Sequence, residues 1–259
     1  MVFPDRRAAL RLGTLGALAA LGAGCAARRP VGPAPGPSSP PSPSGGAPRP
    51  APQPRRLPGQ PEEIEAGPRT RDAVALTFHG NGDPATARAA LTVLERAGAR
   101  ATVLAVGTWL DEHPEMARRV LDGGHELGNH TLRHLDVNEM SEAEARAEIT
   151  GCADRLRRLT GSVGTWFRPS RAKNATPLVR RLAHAAGYPH VLSYDVDSLD
   201  FTSPGPEVVV HNVTESLRPG SVVSLHFGYA DTVAALPDLL DALASRRLRA
   251  VTTTELLTS

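Results

Sequence analysis

Six residues of this 259-residue chain have types and spacings that could do chemistry: His79, His130, His134, Arg168, Asp200 and His226. His130 and His134 lie four apart in "GHELGNHTLRH". If that segment turns helically, both imidazoles point the same way, and both can reach one cation at about 2.0–2.1 Å if it is zinc. The spacing alone is common on surface helices. Here it follows a strand-like run of poor helix propensity, which makes a metal site a reasonable expectation. His79 stands in "LTFHGNGDP", where the apolar run "AVAL" gives way to glycines and an aspartate. Arg168 ends "TWFR", His226 ends "SVVSLH", and Asp195, Asp197 and Asp200 crowd into "YDVDSLDF".

The elements that must position these residues alternate strictly. Strand-like runs span 73–78, 101–107, 125–130, 165–170, 190–195, 221–227 and 249–256, and helical patterns span 84–99, 110–122, 141–159, 176–186, 206–217 and 233–247. The third helix opens on "SEAE", a capping box of Ser141 and Glu144. Alternation of this kind predicts parallel strands joined by crossover helices, with both sheet faces covered. The strands then end on one side, where the polar residues converge. A closed barrel and an open doubly wound sheet both satisfy the pattern.

The motif set resembles the polysaccharide deacetylases with the NodB homology domain, the carbohydrate esterases of family 4. "VALTF" resembles the approach to the first motif of that family, "HTLRH" the second (H-[ST]-x-x-H), "FRPS" the third, "DSLDF" the fourth and "SLHF" the fifth. The resemblance spans about residues 72–257. It implies an α/β fold, a distorted seven-stranded (β/α) barrel of the NodB homology type. It implies removal of acetyl groups from N- or O-acetylated sugars of cell-envelope or other polysaccharides, with a divalent metal, zinc being the expected ion. Carried over position by position, it makes His130 and His134 metal ligands and His226 the general acid for the leaving amine. Asp200 holds and tunes His226, Arg168 pairs with the catalytic base, and Leu225 lines the pocket for the acetyl methyl.

The first motif departs from the family pattern. T-F-D-D-G becomes Thr77-Phe78-His79-Gly80-Asn81, so the aspartates expected as base and as third metal ligand are both absent. Ser170 and Ala172 also depart from the third motif, and Phe201 replaces a tryptophan in the fourth. His79 is therefore expected to serve as third metal ligand, giving a three-histidine site. Asp83 could instead fold back into the site, but Asp83-Pro84 reads more simply as a helix N-cap followed by proline. The rival readings are an impaired, glycan-binding protein on the same fold and an amidohydrolase acting on a non-polysaccharide substrate.

The remaining sequence addresses location. Residues 1–25 carry Arg6-Arg7, an apolar stretch and "LGAGC", the layout of a lipoprotein-type export signal with Cys25 as the lipidated residue. Residues 26–70 read as a disordered stalk, since 13 of the chain's 24 prolines lie between Pro30 and Pro61. Residues 71–259 form the catalytic domain. The expectation is an exported protein held at the membrane by its N-terminal lipid, or secreted, and monomeric. Cys152 is expected to be buried and unpaired. A net charge of +2 without a long basic run gives no case for nucleic-acid binding.

Overall fold

The computed structural model describes residues 51–258. The expected export signal, Cys25 and the first half of the proline-rich segment lie outside the described residues. The stalk ends earlier than the composition suggests. Residues 51–70 pack onto the domain: Ala51 and Leu57 are buried, the Ala51 amide donates to Thr160 O at 3.0 Å, and the Leu57 amide donates to His190 Nε2 at 2.9 Å. A boundary at 70 is therefore corrected to about 50. Scattered apolar residues among the prolines are enough to seat an extended chain in a groove.

Strands β1 (Glu63–Ile64), β2 (Ala73–Gly80), β3 (Thr102–Ala105), β4 (Glu126–Asn129), β5 (Val191–Leu192), β6 (Val196–Asp197), β7 (Val222–His226) and β8 (Arg249–Val251) alternate with helices. The main helices are α1 (Pro84–Arg96), α2 (Gly107–Glu112), α3 (Glu115–Asp122), α4 (Glu142–Thr160), α5 (Pro177–Ala185), α6 (Pro206–Ser216), α7 (Ala230–Ser245) and α8 (Thr253–Thr258). The one helix expected over 110–122 is two, broken at His113-Pro114, because proline lacks the N–H that would continue the first.

Every strand pairing is parallel. The main order is β4-β3-β2-β7-β6, with β8 also on β2. The expected strand over 165–170 is reduced to single bridges from Phe167 to Asn129 and to Val191, which tie β5 and β1 to the β4 edge. β5 and β6 are separated by only residues 193–195. The pairing path therefore returns on itself, in keeping with the α/β barrel class.

Register decides which residues face inward. Phe78 of β2 stands opposite Leu225 of β7, and His79 stands opposite His226. Leu76, Phe78 and Leu225 join Leu91 and Leu94 of α1 and Leu236 and Leu239 of α7 in the layer between sheet and helices. Each such side chain contributes roughly 1.5–3 kcal/mol when fully buried. Thr77 and His79 alternate to the other face, where they meet Arg168.

Candidate metal centre and active-site cleft

His130 and His134 reach one place without a helix. Thr131 and His134 both adopt left-handed backbone conformations, with φ of 65° and 58°. Such residues are strained and need external support. Buried Glu148 of α4 supplies it, accepting from the Leu132 and Arg133 amides at 3.0 and 2.8 Å and from Arg133 Nε at 2.6 Å. Asn129 Oδ1 accepts from the Thr131 amide at 2.8 Å. The Thr131 hydroxyl donates to Ser170 Oγ at 2.9 Å, and Ser170 in turn donates to Leu135 O. Ser170, a departure from the family's third motif, thus fastens the loop that carries both histidines. The condition that "HTLRH" turn helically is not needed, because this pinned loop brings both histidines together.

His130 is fully buried, and its Nδ1 lies 3.1 Å from Arg168 O, so that nitrogen carries the proton. Its Nε2 is buried with no hydrogen-bond partner among the described residues. One ring nitrogen each of His79, His130 and His134 lies within 4.8 Å of the others. The His79 ring centre is 4.2 Å from that of His130, and the His130 ring centre is 5.0 Å from that of His134. Burial, then the charge of neighbouring histidines, holds both His79 and His130 well below the ordinary histidine value. Burial, then Arg171, lowers His134. All three imidazoles are thereby kept neutral with a lone pair to give. A buried lone pair without a donor, aimed among two other neutral imidazoles, fits a divalent cation of borderline softness better than magnesium or calcium.

The end of β2 leaves little room for a side chain at the position of the missing ligand, Gly80. A Cβ on Gly80 would lie 2.9 Å from Val103 Cγ1 and 3.0 Å from Ala105 Cα. At Gly82, with φ +99°, a Cβ would lie 2.5 Å from Gly228 Cα. Asp83 does not turn into the site. It caps α1, accepting from the Ala85 amide at 3.0 Å and from Thr86 Oγ1 at 3.3 Å. His79 is the third histidine of the cluster with His130 and His134.

Arg168 fills the barrel interior. It donates to Leu192 O at 3.0 Å, Thr77 Oγ1 at 2.9 Å and Ser193 O at 2.8 Å, and its Nη1 lies 3.2 Å from His79 Nε2. It is fully buried and ion-paired to no carboxylate among the described residues, and burial lowers its pKa to about 10. Still a cation, it donates to His79. A neutral imidazole has one lone pair, so His79 cannot accept from Arg168 and coordinate a cation at once.

The opposite wall is complete. Asp200 is buried and accepts from His226 Nδ1 at 2.6 Å, the His226 amide at 2.8 Å and Thr232 Oγ1 at 2.6 Å. It opens a single 3₁₀ turn, Asp200–Thr202, flanked by left-handed Leu199 and Ser203. The His226 ring centre is 4.3 Å from that of His79 and 5.4 Å from that of Phe201. Leu225 is misplaced by the motif reading: it lies in the sheet–helix layer, not in the cleft. Its neighbour Ser224 faces the cleft instead. Strand alternation would have found this, since an inward His226 requires an inward residue two places back. The cleft is also lined by Arg171, Lys173, Tyr194, Asp197 and Tyr229. Trp109 and Trp166 are buried, as is free Cys152, whose thiol burial pushes up to about 12.

The comparisons agree with this architecture. The family model for polysaccharide deacetylase matches residues 66–191. A peptidoglycan-N-acetylglucosamine deacetylase of Bacillus cereus is 32% identical over 194 residues, covering 73% of this chain and 90% of that protein. A chitooligosaccharide deacetylase of Bradyrhizobium is 30% identical over 197 residues, covering 67% and 85%. A solved peptidoglycan N-acetylglucosamine deacetylase, complexed with an N-oxidanyl-benzamide, superposes with a TM-score of 0.71 at 25% identity, over 76% of this chain and 94% of that one. A family 4 carbohydrate esterase pseudoenzyme from Bacillus anthracis shares the fold with the same TM-score at 24% identity, over 76% and 69%. A parallel α/β fold, a pinned pair of histidines and a His226–Asp200 couple at the strand ends, together with these matches, place the chain in the polysaccharide deacetylase family.

Proposed function

We propose that this protein is a metal-dependent hydrolase that removes acetyl groups from N-acetylated cell-envelope glycans. The observation that carries the reading is the buried, partnerless Nε2 of His130 beside His79 and His134. His130, His134 and His79 would hold the cation, and zinc suits three neutral imidazoles. When bound, the metal would polarise the acetyl carbonyl and lower the pKa of water at the remaining position.

The chain's own residues do the rest. Asp200 fixes the Nδ1–H of His226, leaving Nε2 toward the cleft. Protonated at Nε2, His226 gives that proton to the departing amine, which leaves poorly without it. Ser224, Tyr194 and Tyr229 shape the cleft around the sugar. His79 must exchange Arg168 for the cation, and Arg168 then keeps its three other hydrogen-bonded partners. No carboxylate is paired with Arg168, so a cation held by His79, His130 and His134 would supply the activation of water that a base would otherwise share. The N-terminal sequence supports placing this activity outside the cell on a lipid anchor at Cys25.

A second reading has its own observation. The unpaired charge of Arg168 and the closed position at Gly80 also suit a protein that binds glycan without hydrolysing it. Acetate release from N-acetylated oligosaccharides by the zinc-loaded full chain separates the two. Release that stops on chelation and returns with zinc supports the hydrolase. Zinc binding and glycan binding without acetate release supports the second reading.

A further inference from the structure

Resting on the hydrolase reading above, we infer that Thr232 is a positioning residue for His226: from the first turn of α7 it fixes the carboxylate of Asp200, and through it the Nδ1–H of His226. Thr232 lies outside the five motifs by which the sequence resembles the family, six residues after His226.

The carboxylate of Asp200 needs a third point of attachment. Two of its hydrogen bonds, from the amide and the Nδ1 of His226 at 2.8 and 2.6 Å, come from the same residue it must orient. Those two alone leave the couple free to swing together. The third, from Thr232 Oγ1 to Oδ2 at 2.6 Å, comes from a different element and fixes the plane of the carboxylate. Thr232 is buried, and its hydroxyl is committed to this one bond among the described residues. Tyr229, the N-cap of α7, makes no side-chain capping bond, and the one hydroxyl in the first turn points away from the helix to Asp200. That turn is also the positive end of the helix, which favours an ionised carboxylate beside it.

The turn that carries Asp200 is one that needs such support. Leu199 and Ser203, on either side, hold left-handed φ of 54° and 51°, which residues with a Cβ seldom adopt. Leu199 and Phe201 are 42% and 44% exposed, so the turn buries little apolar surface to offset that strain. The Ser203 amide donates to Asp200 O at 2.9 Å and the Thr202 amide to Leu199 O at 3.1 Å, but both bonds lie inside the turn. α7 grips the segment at both ends. Thr232 holds Asp200, and Asp231 accepts from the Gly205 amide at 2.9 Å. Neighbouring residues of one helical turn thus clamp the start and the finish of residues 200–205.

The test compares Thr232→Val, which removes the hydroxyl at nearly the same shape, with Thr232→Ser, which keeps it, in the zinc-loaded full chain. In Thr232→Val, kcat on an N-acetylated oligosaccharide is expected to fall by about tenfold or more, with KM and zinc affinity near wild type. Thr232→Ser is expected to recover most of that loss. A second readout needs no turnover. The His226 Nδ1 proton, assigned by proton NMR of the full chain with isotope-labelled histidine and by its absence from His226→Ala, is expected to shift or broaden in Thr232→Val and to stay in place in Thr232→Ser. Wild-type kcat with an unmoved proton in Thr232→Val overturns the inference. So does a loss that Thr232→Ser leaves unrecovered, or one in which kcat, KM and zinc affinity all change together, since either marks a general packing defect. If wild type releases no acetate, the hydrolase reading falls and the proton decides alone. Moved in the valine variant and kept in the serine variant, it supports the positioning role; unmoved in both, it overturns it.

Discussion

The two walls of the cleft start from the same problem, a charged group buried near the end of a parallel strand, and solve it differently. On the β7 side, Asp200 receives three hydrogen bonds, one from the Nδ1 of His226. On the β2 side, Arg168 is equally buried but faces the neutral ring of His79. The first wall is a fully hydrogen-bonded carboxylate with its histidine. The second holds a cation whose expected carboxylate is missing, beside a glycine position too tight for a replacement. The difference teaches that losing two aspartates did not leave an empty copy of the family's site. It left a different one, in which His79 both contacts Arg168 and belongs to the three-histidine cluster.

Four substitutions break or sharpen that contrast. The largest effect is expected on the first wall. His226→Ala should lower kcat by about 10²–10⁴-fold with little change in KM, as steady-state kinetics on an N-acetylated oligosaccharide would register. Unchanged kcat would remove His226 from the proton transfer. On the metal side, His130→Ala deletes the partnerless Nε2 and should weaken zinc affinity by more than about 100-fold in a competition titration. A variant that binds zinc like wild type would place the ion elsewhere.

Smaller effects probe the second wall. Gly80→Asp, which restores the family residue at the ligand position, should destabilise the fold by about 1–3 kcal/mol in denaturant unfolding, because its Cβ meets Val103 and Ala105. Wild-type stability would mean the position is open and His79 dispensable. His79→Asp gives Arg168 a charge-assisted partner and should raise unfolding free energy by about 1 kcal/mol at neutral pH. A clear loss would show that the neutral ring, not an anion, is what Arg168 requires.

Much of this was legible in the sequence because strand order in a parallel fold brings strand ends together whatever their spacing. His79, His130, Arg168, Asp200 and His226 end or follow successive apolar runs, and they meet. What was not legible depends on geometry finer than the run. His130 and His134 look helical by spacing, yet the loop is held in left-handed turns by Glu148, sixteen residues from Leu132, and by Ser170. Leu225 was assigned by motif when the two-residue alternation already placed it on the outer face. Over 165–170 only Phe167 bridges its neighbours, and Pro169 has no N–H with which to extend the ladder. Residues 51–70 looked like stalk because proline content hides the few apolar anchors, Ala51, Leu57 and Ile64, that seat them.

Metal binding at this cluster requires His79 to leave Arg168 for the cation. Zinc K-edge X-ray absorption on the zinc-loaded full chain and on His79→Ala counts imidazole ligands directly. Three imidazoles in the wild type and two in the variant are the predicted result, matching the cluster of His79, His130 and His134. Two imidazoles in both proteins would leave His79 with Arg168 and contradict the account.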